Sequence, residues 1–475
     1  MNYVLFLPEL LVAGLGLLLL VVHLLWRTQD GSRSFGYFTA AGLAAIALYA
    51  YFNLGVNQTT LEGTWVSDPL AAFFKLLFLL AGILVALSSI SYLRVIKEYF
   101  TEYLMLVVFA TLSMMLVVSA GDLISLYIGL EFMAICFCVL TCYLKTSPKS
   151  PEAALKYIVI NAFSSAVLLY GFSLLFGLTG SVSITGITQA LTASDPQPAV
   201  YLALVLVLAG FSFKTSLVPF HMWTPDVYEG APTPITNFFA IGSKAAGFGL
   251  MIRVFLTVFS ATAGTLVLLL AVLSFLTFTI GNLVALPQTN IKRFLAYASI
   301  GSAGYIIMGL VAGGRTGVEA ILFYLMINVF STFGAFGVAS VFGSTVGTDE
   351  IADYAGLSKR SPFLALVMLL STLSLAGVPG LAGFVAKFYV FLALVHKGFA
   401  WLALVGVVIS IVSVFYFLRL AKVMYVYEAS EKEPVRVDAS MQLALAASMV
   451  VTVVFGVYPT PLVNLVGQVA QAFLP

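Results

Sequence analysis

The chain has 475 residues, 61% of them hydrophobic and only 9% charged, with a formal net charge of +2. A soluble domain carries about 25% charged residues, so this composition excludes a water-soluble globule. The near-neutral charge, with no basic cluster, gives no footing for nucleic acid.

Apolar runs of twenty or more residues recur along the whole chain, the length at which a helix crosses a bilayer. The short alternating segments of a membrane β-barrel are not seen. The fold class is therefore an all-α polytopic membrane protein. In chain order the runs predict fourteen spans, the first three at about 4–26, 36–55 and 69–92. Five more follow at about 103–119, 123–144, 155–178, 200–220 and 233–259. The last six lie at about 265–286, 294–312, 318–343, 362–395, 400–427 and 440–459. The opening stretch, MNYVLFLPELL, lacks a positive charge and carries Glu9, so it reads as a first membrane helix rather than a signal peptide.

The charges test this count. With the N-terminus outside, the predicted inside loops collect most of the 22 Lys and Arg. They include Arg27, Arg33, Lys97, Lys145, Lys149, Lys156, Lys292, Arg293, Lys359, Arg360 and Lys432. The outside loops hold Arg315 and Lys397 beside Glu62, Asp68 and Asp195. That bias follows the positive-inside rule and puts both termini on the outer, positive side.

Five basic residues remain inside spans. Lys75 and Arg253 lie toward span ends, where they are expected to snorkel to the interface. Lys214, Lys244 and Lys387 lie deeper, as does one acid, Glu131. A charge at the bilayer centre costs about 2.5–3.5 kcal/mol on insertion scales and commonly marks an ion or proton route. The competing reading is a structural network of ion pairs, but three lysines cannot all pair with one acid. Lysine can release its proton where arginine cannot. A carboxylate moving near an ammonium changes its proton affinity, by about 4 kcal/mol at about 4 Å and an effective dielectric near 20.

Two of these spans also carry helix breakers. Pro219 follows Lys214 in GFSFKTSLVPFHMW, and Pro379 precedes Lys387 in LAGVPGLAGFVAKFYVF. A proline in a span removes a backbone donor and breaks or kinks the helix. Paired interrupted helices five spans apart, hence oppositely oriented, point to an inverted repeat around a transport site. The expected domains are residues 1–100 with three N-terminal helices, 101–260 and 261–430 as two inverted five-helix repeats, and 431–475 with a C-terminal helix and short tail.

Hydroxyls and amides line the same spans: Ser212, Thr215, Ser216, Thr236, Asn237, Ser243, Tyr297, Ser299, Ser302, Tyr305, Tyr324, Asn328, Ser331 and Thr332. They serve either as interhelical glue or as water carriers. Cys136, Cys138 and Cys142 cluster in one apolar run and read as small buried residues, without a second cluster to complete a metal set. His23, His221 and His396 lie apart, with no facing pair for haem. No redox centre is expected on this chain.

The stretch FSFKTSLVPFHMWTPDVYEGAPTP, together with Glu131, resembles the antiporter-like membrane subunits of proton-pumping NADH:quinone oxidoreductase, respiratory complex I. SPEAALKYIVINAFSSAVLLYGFSLLFG and IKRFLAYASIGSAGYIIMGL resemble further stretches of that family, and the likeness runs over almost the whole chain. Lys387 on the twelfth span and the short tail after the fourteenth are similar to the subunit N type. The related family is that of multisubunit cation/proton antiporters, which supplies the alternative function.

The resemblance implies a proton relay. Glu131 would modulate Lys214, Lys244 would link it to the second half, and Lys387 would be the gate toward the positive side. His221 is the candidate for a further step between Lys214 and Lys244. Where relatives often carry a histidine on the eleventh span, this chain has Asn328 and Tyr324. The resemblance also implies an energy-coupling membrane, bacterial inner membrane in type, and other complex I membrane-arm subunits as partners. NADH, FMN, iron–sulfur clusters and quinone would belong to the parent complex, with none on this chain.

Overall fold

The computed structural model describes residues 3–25, 32–96, 99–193, 195–428 and 433–474. Arg27, Lys97 and Lys432, counted above on the inside loops, lie outside the described residues. The chain is helical almost throughout, because backbone groups in hydrocarbon are satisfied within a helix.

The first helices are α1 (Leu7–Leu25), α2 (Ser32–Phe52), α3 (Pro69–Ser91), the short α4 (Leu93–Ile96), α5 (Phe100–Ser119) and α6 (Leu123–Thr141). A small hairpin, β1 (Gln58–Thr60) with antiparallel β2 (Trp65–Ser67), joins α2 to α3. Then come α7 (Lys149–Thr179), α8 (Ile184–Thr192), α9 (Pro198–Thr215), α10 (Trp223–Gly230) and α11 (Thr233–Phe238). A π-turn over Phe239–Ser243 leads directly into α12 (Lys244–Thr257).

The second half contains α13 (Ala263–Ala285), α14 (Ile291–Ala312), α15 (Gly314–Val346) and α16 (Leu357–Arg360). It continues with α17 (Pro362–Ala376), α18 (Ala382–His396), α19 (Ala400–Tyr425), α20 (Ala439–Val457) and α21 (Thr460–Phe473). Among the described residues, thirteen helical segments are long and apolar enough to cross a membrane. α17 and α18 are the two halves of the remaining predicted span, the twelfth. All fourteen expected spans are therefore matched by helix. α21 stands where the sequence predicts only a short tail. It is too short and too polar on one side to span, and it buries Leu462, Val466 and Val469 on the other.

Burial sorts spans that hydropathy alone treats alike. α12, α14 and α15 are almost wholly enclosed by protein, whereas α7, α13 and α19 lie at the periphery. The enclosed helices carry Lys244, Ser299, Ser302, Tyr324, Asn328, Ser331 and Thr332 of the expected relay, whereas Glu131, Lys214 and Lys387 stand on α6, α9 and α18. Small residues allow the close packing: a Cβ on Gly304 of α14 would sit 2.3 Å from the Phe278 amide nitrogen of α13.

Two expectations need correction. Lys75 does not snorkel; its side chain is 4% exposed and its Nζ lies 2.8 Å from Glu9 of α1, over the Trp65 ring. Arg253 is buried as well and binds Asp68 at 2.9 Å. Asp68 also caps α3 by accepting from the Ala71 amide at 2.7 Å. Position along each span predicts snorkelling. The partner acids are distant in sequence, so the pairing was not legible there.

Candidate functional site: the interior chain of lysines

Lys214 lies in the last turn of α9. The helix ends at Thr215, four residues before Pro219, because Ser216 takes a left-handed conformation at φ 60°. Proline disfavours helix in the residue before it, so the break spreads upstream rather than falling at the ring. The freed backbone is re-satisfied locally. Leu217 N donates to Ser212 O at 2.9 Å, Val218 N donates to Thr277 Oγ1 of α13 at 3.0 Å, and Trp223 Nε1 donates to Phe213 O at 3.1 Å.

The second break has the same cap. α17 ends at Ala376, Gly377 is left-handed at φ 88°, and Val378 N donates to Leu373 O at 3.0 Å. Pro379 again stands in the turn, not in the helix. Lys387 reaches back from α18 to this end. Its Nζ donates to Ala376 O at 2.7 Å and to Ser410 Oγ at 2.9 Å, and it lies 4.5 Å from the centre of the Tyr305 ring. Ala376 O is one of the carbonyls a helix C-terminus leaves free, at the end of the dipole that favours a cation.

Lys244 follows the π-turn and donates from Nζ to Ser299 Oγ at 2.7 Å and Ser299 O at 3.0 Å. Lys214 Nζ donates to Asn161 Oδ1 of α7 at 2.5 Å. Each of the three buried ammonium groups thus rests on neutral oxygens. Among the described residues, none has a carboxylate within 4.0 Å.

Glu131 is half-buried on α6 and accepts a hydrogen bond from Ser165 Oγ, again on α7. It makes no direct contact of that range with Lys214. His221 is buried in the turn after α9, and its Nδ1 makes no hydrogen bond. The same is true of Ser212 Oγ and Asn237 Oδ1. His221 is therefore near the break but is not hydrogen-bonded through Nδ1 to either lysine.

Between Lys244 and Lys387 lie two cavities of about 10 Å³ each. Ser299, Ser302 and Thr332 line the first, and Tyr324, Asn328, Ser331 and Ser374 line the second. Each has about the volume that one water needs, with hydroxyl partners around it. Ser331 and Ser374 hydrogen-bond across α15 and α17 at 2.8 Å.

An ion layer caps the Lys/Arg-rich end. Asp226 of α10 binds Lys156 at 2.8 Å and Arg293 at 2.7 Å; Glu229 binds Lys149 at 2.6 Å and Arg293 at 3.1 Å. Burial opposes ionisation of both acids, but these hydrogen bonds outweigh it and hold both carboxyls below their ordinary values. Among the described residues no group of three His, Cys, Asp or Glu could hold a metal ion. Sequence reasoning missed Asn161, Ser165 and Ser410 as partners, and the acids of the ion layer. Asn161 and Ser165 carry one visible signal, polar residues four apart and hence on one face in the middle of a membrane span.

Residues 120–413 match the family model described as NADH:quinone oxidoreductase/Mrp antiporter, TM. The chain is 47% identical to the NADH-quinone oxidoreductase subunit N of Heliobacterium modesticaldum, over 99% of this chain and 100% of that one. Among solved structures, a chain of respiratory complex I from Thermus thermophilus superposes with a TM-score of 0.82 at 30% identity, over 96% of this chain and 98% of that one. A chain of the membrane-bound sulfane sulfur reductase, an archaeal respiratory membrane complex, superposes with a TM-score of 0.89 at 27% identity. It covers 100% of this chain and 98% of that chain.

Proposed function

Since the chain belongs to the NADH:quinone oxidoreductase/Mrp antiporter family of membrane proteins, we propose that it is a proton-translocating membrane-arm subunit of complex I, of the subunit N type. It carries protons across a bacterial inner membrane, driven by redox chemistry in partner subunits. The NADH, flavin, iron–sulfur and quinone chemistry belongs to those partners.

The observation that carries this reading is the neutral surroundings of the three buried ammonium groups. A carboxylate at about 4 Å would hold each proton by about 4 kcal/mol at an effective dielectric near 20. Amide, hydroxyl and carbonyl oxygens accept the N–H bonds of an ammonium while leaving its charge uncompensated. Such a lysine is a site that can give up its proton. Lys214, Lys244 and Lys387 are the proton-holding sites in this reading, with Glu131 the acid whose approach strengthens the hold on Lys214. The hydroxyl-lined cavities support water-assisted passage from Lys244 to Lys387 through Ser302, Tyr324 and Ser331. The unpartnered atoms of Ser212, His221 and Asn237 support a hydrated start to the path, with His221 beside it. The two matched helix ends fit an inverted pair of half-channels.

Lys214→Ala tests the proposal in inverted membrane vesicles containing the whole complex. NADH-driven proton pumping falls while the amount of assembled complex is kept. Full pumping in that variant refutes the role. Sodium- or potassium-dependent proton exchange without NADH would instead identify a stand-alone cation/proton antiporter.

A further inference from the structure

Glu131 and Lys214 are not in contact, and what separates them is a single helix face. α7 passes between α6 and α9. Asn161 and Ser165 stand one turn apart on it, 1% and 3% exposed. Asn161 takes the Lys214 ammonium, and Ser165 donates to the Glu131 carboxylate. Close packing makes this reach possible for such short side chains. A Cβ on Gly210 of α9 would lie 2.7 Å from Leu168 Cβ of α7, and one on Gly171 of α7 would lie 2.9 Å from Val207. Ser164 Oγ adds a hydrogen bond to Gly210 O at 3.2 Å.

The two neutral groups share a chemical property: each can serve both protonation states of its partner. The Asn161 amide offers Oδ1 to an ammonium and, after rotating, an Nδ2–H to the lone pair of a neutral amine. The Ser165 hydroxyl donates to a carboxylate and accepts from a protonated carboxyl. Neither gains nor loses a proton; each exchanges one hydrogen bond for another.

We propose that Asn161 and Ser165 are positioning residues that hold Lys214 and Glu131 in a separated state, against which the direct ion pair must compete. The proposal rests on the proton-translocating reading above. In the separated state Lys214 is free to deprotonate. The direct pair forms only when one side chain leaves its α7 partner. Losing Asn161 removes the competitor and leaves the lysine bound to Glu131.

The test uses proton pumping and NADH:quinone turnover of the whole complex in inverted vesicles, normalised to assembled complex. Asn161→Leu, similar in bulk but without an acceptor, lowers pumping about tenfold, the order of effect of one hydrogen bond to a charged group. If that variant does not assemble, Asn161→Ala carries the same test. Ser165→Ala, which also loses a hydrogen bond to a charged group, lowers pumping about tenfold, and Ser165→Thr recovers most of that loss. The decisive measurement is a double-mutant cycle. With Glu131→Gln in place, no carboxylate competes for the lysine, so adding Asn161→Leu changes pumping little further. Multiplicative losses would show Asn161 to be merely structural and overturn the proposal. So would full pumping in both Asn161→Leu and Ser165→Ala when Lys214→Ala is defective. Full pumping in Lys214→Ala would overturn the underlying reading instead.

Discussion

Replacing Gly377 by alanine should disable Lys387 without touching it chemically. Gly377 adopts φ 88°, where a side chain costs about 1–2 kcal/mol. Its new Cβ would lie 2.8 Å from Lys387 Cδ and 3.4 Å from Nζ. The lysine has to withdraw from Ala376 O, now 2.7 Å away. Loss of a hydrogen bond to a charged group costs about 1.5–3 kcal/mol. Gly380→Ala is the control, because Gly380 has φ 90° and nothing within 4 Å of its added Cβ. It carries the backbone term alone. The difference between the two variants isolates the lysine and corresponds to roughly 10- to 100-fold in pumping. NADH-driven acidification of inverted vesicles, per assembled complex, measures it, and thermal inactivation reports the shared backbone strain. Equal pumping losses in the two variants would refute the reasoning, since the broken backbone alone would then account for both. Normal pumping in Gly377→Ala would refute it too.

Lys75→Met strands the Glu9 carboxylate and should cost about 3–5 kcal/mol, with most of it recovered when Glu9→Gln is added. Thermal unfolding in detergent checks this, and a neutral single substitution contradicts it. Asp68→Asn keeps an acceptor for the α3 cap but leaves the Arg253 guanidinium buried and unpaired. Asp68→Ala removes the cap as well and should be about 1 kcal/mol worse in the same assay. Asp226 and Glu229 have lowered folded pKa values, so the stability they contribute is complete above the unfolded carboxylate range, about pH 4, and is lost as pH falls below it. Measuring the thermal midpoint against pH should therefore show an acid-side fall that is smaller in Asp226→Asn/Glu229→Gln. An identical fall in that variant would remove the ion layer from the explanation.

Hydropathy alone determined the number of spans, since the bilayer demands about twenty apolar residues per crossing wherever the helix lies. It also exposed the deep lysines and the two breaks, because a charge or a proline in such a run violates the local rule. Where each break falls was less legible. The prolines pointed to it, yet both helices end upstream, at left-handed Ser216 and Gly377. What partners each charge was decided only by tertiary structure. Lys75 and Arg253 look alike in sequence to side chains that reach for the interface, and both are buried ion pairs. Lys214, Lys244 and Lys387 look equally in need of acids, and each rests on neutral oxygens instead. A helix of period 3.6 tells which residues share a face, but not which distant helix that face meets. In a membrane every outer surface is apolar, so hydrophobic pattern does not separate lipid-facing helices from enclosed ones. The enclosure of α14 and α15, and the passage of α7 between Glu131 and Lys214, come from packing alone.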